Sequence, residues 1–114
     1  MARSQAIRLV PEPARSLAFG SIGAAYAAVG TAFQNPIRII RIQNLTDAAL
    51  WFSFDGIYDH EAIAANAFLL LDVTANASRE QGCFFAEGTR MYVKELDTPT
   101  SGSVYVTVYH GETL

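Results

Sequence analysis

From residue 36 onward the chain alternates apolar and polar side chains with period two. Turn signals interrupt the alternation at intervals of about ten residues, the pattern of an all-β sandwich or barrel. The last run, "SVYVTVYHG", is the clearest: Val104, Val106 and Val108 face one way, and Tyr105, Thr107 and Tyr109 the other. "PIRIIRIQN" is a β-branched strand opened by Pro36 and closed by "NLTDA". The adjacent Ile39 and Ile40 break its alternation, which calls for a bulge or for burial on both faces. In "ALWFSFDG", Leu50, Phe52 and Phe54 share one face, and Trp51 and Ser53 the other. "AFLLLDV" lacks clean alternation and reads as a strand covered on both sides. "CFFAEG" and "TRMYVKEL" read as further strands, with "TANASREQG" and "DTPTSG" as turns. No segment carries a convincing helical stripe, and there is no repeat or low-complexity tract.

The expectation is one antiparallel β-sandwich, jelly-roll or immunoglobulin-like, over residues 15–114, preceded by an extended arm at 1–14. Pro11 and Pro13 each lack a ladder donor, so the arm is expected to be dispensable for folding. No charge occurs from Ser16 through Ile37. A signal peptide or a membrane span would explain that run, but Gly20, Gly23 and Gly30 and the shortage of leucine argue against both. We read it as an extended segment, including one strand in "RSLAFGSIG", that packs on the domain.

Composition bears on partners. The chain is 51% hydrophobic and 17% charged, against roughly 25% charged in an average domain. A domain of 114 residues has a large surface relative to its core, so part of this apolar surface is expected to be covered by sister subunits or another protein. A net charge of −3 gives no electrostatic reason to bind nucleic acid. The one cysteine, Cys83, has no partner for an internal disulfide and reads as a small buried hydrophobe. The sequons at Asn44 and Asn76 read as accidents of composition.

"WFSFDGIYDHE", residues 51–61, is the stretch that most resembles a site. Asp55, Asp59, His60 and Glu61 offer oxygen and nitrogen ligands, yet a calcium loop wants acids at alternating positions and a zinc site wants helical or looped spacing. Three consecutive residues in extended chain cannot converge on one ion, because neighbouring side chains point oppositely. Asp55-Gly56 is instead a turn dipeptide after an alternating strand. The expectation is a turn, with no metal, no cofactor and no enzyme activity. No nucleophile motif or phosphate-cradling glycine loop occurs elsewhere. If the valine and phenylalanine faces are inner, then Trp51, Tyr105 and Tyr109 lie outside and are candidate anchors of a subunit contact.

"SLAFGSIGAAYAAVGTAFQNPIRIIRIQNLTDAALWFSFDG" followed by "GTRMYVKELDTPTSGSVYVTVYHGE" resembles the small β-sandwich virion proteins of tailed bacteriophages. The resemblance runs over residues 15 to 112 and rests on strand order and on phrases such as "NLTDA", "SFDG" and "GSVYVTV". It implies a mechanical role in the virion, made in the host cytoplasm, as a symmetric collar at the neck or head–tail junction. Implied partners are further copies of the chain and the portal, head–tail adaptor or major capsid protein, without direct nucleic-acid or membrane contact. Related small sandwiches serve instead as trimeric capsid decoration proteins. Two readings from other classes stand beside these: a carbohydrate-binding sandwich stacking sugars on Trp51 or the tyrosines, and a hydrolase using Asp59, His60 and Glu61.

Overall fold

The computed structural model describes residues 7–73 and 85–113. Its strands are β1 (Ile7–Pro11), β2 (Arg15–Ala18), β3 (Ala27–Ala28), β4 (Ile37–Asn44), β5 (Leu50–Ser53), β6 (Glu61–Ile63), β7 (Ala67–Asp72), β8 (Tyr92–Glu95) and β9 (Ser103–Thr113). They form two antiparallel sheets. One runs β1-β9-β4-β7 with β2 also on β9, and the other β3-β8-β5-β6. The protein is an all-β sandwich, as its period-two pattern requires. The only helical element among the described residues is one 3-10 turn, Phe19–Ser21.

Alternation decides which side chains enter the core. Val104, Val106 and Val108 of β9, Ile40 and Ile42 of β4, Leu50 and Phe52 of β5 and Val93 of β8 are fully buried between the sheets. Burying a side chain of this size contributes about 1.5–3 kcal/mol, enough to fix the face of each strand. Ile37 is buried as well, although it sits an odd number of positions from Ile40. The reason is a register shift between Ile37 and Ile39, which leaves Arg38 as the extra residue of a bulge. The uncharged segment packs on the domain: Ile22, Val29 and Phe33 join the core. No helix of the described residues is long and apolar enough to cross a membrane.

Three expectations need correction. First, the chain before Arg15 is not a separate arm over its described length. Ile7–Pro11 is a strand paired with Tyr109–Thr113 of β9. Pro11 ends this edge strand opposite Tyr109, where its missing N–H faces away from the ladder. Glu12 faces Val108 through a backbone hydrogen bond, and Arg15 faces Val106. Pro13 and Ala14 therefore oppose the single Thr107, a bulge that joins β1 and β2 into one kinked edge. Second, β7 is not covered on both sides among the described residues. It is an edge strand whose outward side chains Phe68 and Leu70 are 66% and 52% exposed. Third, the turn expected after Asp55-Gly56 does not run to the end of "WFSFDGIYDHE", since Glu61 opens β6 and pairs with Phe52. Cys83, Asn76 and the "TANASREQG" turn lie outside the described residues, as do the first two residues of "CFFAEG"; of the rest, Phe85 makes only an isolated bridge to Ile37, and Glu87 and Gly88 form a turn.

Candidate functional site

The acidic stretch after β5 builds a hydrogen-bonded turn from its own side chains. Asp55 Oδ1 accepts the amides of Ile57 (2.8 Å) and Tyr58 (3.1 Å) and the Ser53 hydroxyl (2.8 Å). Ser53 Oγ in turn accepts the amides of Asp55 (3.2 Å) and Gly56 (2.9 Å). The Ile57 and Tyr58 amides, then the Ser53 hydroxyl, hold the Asp55 carboxyl down to about 2. Gly56 supplies the positive φ of 76° that the turn needs, with the Tyr92 ring lying against it.

Serine, histidine and aspartate meet here, but not in the order that nucleophilic catalysis requires. A general base must present a free ring nitrogen to the serine hydroxyl, with the carboxylate on the other nitrogen. His60 Nδ1 accepts the Phe54 amide at 3.0 Å and lies 3.4 Å from Ser53 Oγ. The ring is thereby fixed with its proton on Nε2, which is 3.9 Å from Asp55 Oδ2. Ser53 has no exposed surface and spends its proton on Asp55. The three side chains serve as turn ligands for backbone amides.

Asp59 is drawn into a different group. It accepts the Tyr26 hydroxyl and pairs with Lys94 at 2.9 Å, while the Lys94 ammonium stands 4.7 Å from the centre of the Tyr26 ring. These contacts lower the Asp59 carboxyl, Tyr26 first and Lys94 next. Burial, followed by the hydrogen bond and charge of Asp59, raises the Tyr26 phenol. Glu61 is on β6, facing Phe52. Asp55, Asp59, His60 and Glu61 thus divide among separate contacts, and among the described residues no group of three such side chains is placed to hold a metal ion.

Two buried polar clusters that the sequence reading missed tie the sheets together. Glu12 and Arg15, 5% and 6% exposed, pair at 2.7 Å on the inner side of the bulged edge. Arg15 also donates to the carbonyls of Thr31 (2.7 Å) and Ala32 (3.0 Å). Glu12 accepts the Gln34 amide (3.2 Å) and the Asn35 side chain (2.9 Å). Burial alone would raise the Glu12 carboxyl, but the bonds from Asn35, Arg15 and Gln34 hold it below the ordinary carboxylate value. The pair thus fastens the loop between β3 and β4 to the opposite sheet. The visible signal is the phrase "PEPAR", which places the last charges before an uncharged loop whose backbone needs partners.

The second cluster is centred on Asn44, which is fully buried at the end of β4. Its amide nitrogen donates to the carbonyls of Ala48 (2.9 Å), Ile63 (3.0 Å) and Ala64 (3.2 Å), and its oxygen accepts the Thr46 amide (3.1 Å). Thr46 is buried too, so the sequon at Asn44 is part of the interior.

Trp51 lies half-buried on the outer face of the four-stranded sheet, across from Lys94 and Ala62. Tyr105 and Tyr109 lie on the outer face of the five-stranded sheet. The two outer faces point away from each other, so the three aromatics do not form one patch. The tyrosines instead join a set the sequence reading did not assemble. One row across the sheet runs Phe68, Gln43, Tyr105 and Ser16; the next runs Leu70, Arg41 and Thr107; a third runs Asp72, Ile39, Tyr109 and Pro11. The face is mixed: Phe68, Leu70, Ile39, Pro11 and the two tyrosines surround Arg41, with Gln43, Ser16, Thr107 and Asp72 among them. Comparison with family models, with curated proteins and with solved structures finds no match.

Proposed function

We propose that this chain is a structural subunit of a larger protein assembly rather than an enzyme, in keeping with its resemblance to the small sandwich proteins of tailed-phage virions. The role that reading carries is a symmetric collar at the neck or head–tail junction, built from copies of the chain and seated on the portal, head–tail adaptor or capsid protein. The observation that supports it is the outer face of the five-stranded sheet. Phe68 and Leu70 are more than half exposed there, beside Tyr105 at 37%. Side chains of this kind are depleted from free surfaces and enriched at the centre of interfaces. The engagement of Ser53, Asp55 and His60 with turn amides weighs against a hydrolase.

The test is the protein content of purified virions from the phage or prophage whose genome carries the gene. The chain should be present in fixed copy number, and antibody labelling should fall at the neck. Labelling spread over the shell would make it a decoration protein, and absence from particles would overturn the virion role.

A further inference from the structure

The two sheets have four edges, and three of them resist addition of another strand. The β1–β2 edge carries Arg8, Pro11, Pro13 and a bulge, which are the usual devices against edge pairing. β3 and β6 are two and three residues long, too short to template a ladder. The fourth edge, β7, has six residues and an unshifted register with β4, and it contains neither proline nor lysine. Among the described residues no strand pairs with its outer side.

The register shows which backbone groups face outward. Ile39 stands opposite Asp72, and the Val73 amide donates to the Arg38 carbonyl at 2.8 Å. In an antiparallel ladder that bond belongs to the wide spacing around a non-hydrogen-bonded pair. Leu69 and Leu71 therefore turn their N–H and C=O groups toward β4, while the Ala67 amide closes the preceding turn on the Ala64 carbonyl at 3.2 Å. Phe68 and Leu70 turn theirs toward the outer edge, and their side chains are the exposed apolar pair of the outer face.

We propose that β7 is the contact to a second copy of this chain, the two β7 strands pairing antiparallel about a twofold axis normal to the sheet. The inference deepens the assembly reading and rests on it only for its place in a particle. Placing Leu69 opposite its twin keeps inner and outer faces continuous across the join. Phe68 then faces the partner's Leu70, and Leu70 the partner's Phe68. Each pair exchanges two backbone hydrogen bonds and adds an aromatic–aliphatic side-chain contact. Shifting the register so that Leu70 meets its twin would set Phe68 against a carboxylate, the partner's Asp72. A second copy suits this edge for a further reason: antiparallel pairing sends the two Asp72 carboxylates to opposite ends of the ladder, so no like charges oppose. Two five-stranded sheets become one of ten, with the exposed Phe68 and Leu70 of both copies at its centre. Pairing through one six-residue edge buries less than the roughly 1,200 Å² of a standard interface, so the dimer is a weak, reversible one.

Sedimentation equilibrium of the full chain, from micromolar to millimolar concentration, tests the inference. The mass should rise from 12.4 kDa towards twice that value. Leu70→Pro removes an amide that faces the edge and not β4, so the variant should keep its melting transition and stay monomeric. Leu70→Lys serves if the proline variant does not fold, and should weaken the dimer by roughly tenfold or more. A parent that stays monomeric throughout, or folded variants that associate as the parent does, would overturn the proposal. Virion content is read separately: a dimer absent from particles would sink the virion role and not the pairing.

Discussion

Glu12 Oε1 and Arg15 Nη2 meet at 2.7 Å across the bulge at Pro13 and Ala14, with both side chains almost wholly withdrawn from water. The bulge makes this possible. Residues three apart on a regular strand point to opposite faces, and one extra residue brings both to the inner side. A buried pair of this kind is expensive to break, because removing one member leaves the other charge unpaired in the interior. Glu12→Ala and Arg15→Ala should each cost about 3 kcal/mol or more, read from urea unfolding midpoints. Removing residues 1–14 should likewise abolish cooperative unfolding. A truncated protein that melts like the parent would show that the pair is not needed.

Asn44 gives a second test. Replacing it with leucine removes the donor to the carbonyls of Ala48, Ile63 and Ala64 at a site with no exposed surface. Leaving buried carbonyls unsatisfied costs about 1–3 kcal/mol, so thermal unfolding should shift downward by several degrees. An unchanged melting temperature would mean that water replaces the amide.

Gly102 sits at the turn before β9 with φ at 90°, and a Cβ there would lie 2.0 Å from the Leu45 carbonyl oxygen. Backbone strain and collision act together, so Gly102→Ala should destabilise by more than about 2 kcal/mol. Gly23→Ala, whose added carbon meets nothing within 4 Å, is the matched control and should be close to neutral. Equal effects at the two positions would contradict the placement of the turn against residue 45.

Acid should unfold the protein in part through Asp55. Its carboxyl is lowered from 3.8 to about 2 in the folded chain. A depressed carboxyl binds its proton more readily when unfolded. Its contribution is therefore present above the unfolded value and is lost as pH falls from near 4 toward 2. Asp55→Asn should flatten that part of the stability–pH curve, measured by urea unfolding at stepped pH. A variant curve as steep as the parent's would assign the acid loss to the other lowered carboxyls, Glu12, Asp47, Asp59 and Glu112.

The core strands were legible in the sequence because alternation is a local signal. The valines of "SVYVTV" and the pair Leu50 and Phe52 declare their faces without reference to any neighbour. The Ile39–Ile40 irregularity was legible as a bulge or as burial on both faces for the same reason, and the register shift between Ile37 and Ile39 decides for the bulge. What could not be read locally was pairing across the chain. β1 and β3 are strands because β9 and β8 lie beside them, and Ile7–Pro11 has no pattern that announces it. "AFLLLDV" read as doubly covered because an all-apolar run says nothing of its position in a sheet, and its place at an edge exposes Phe68 and Leu70. The candidate site was legible where side chains bond within a few residues, as in the Asp55 turn. It was not legible where Tyr26 and Lys94 arrive at Asp59 from distant strands.

The central proposal is that this sandwich binds copies of itself within a structural assembly. Native mass spectrometry of the purified full chain, titrated in concentration, tests that most directly. A monomer of 12.4 kDa should give way to a dimer of twice that mass as concentration rises. A single 12.4 kDa species at every concentration would contradict it.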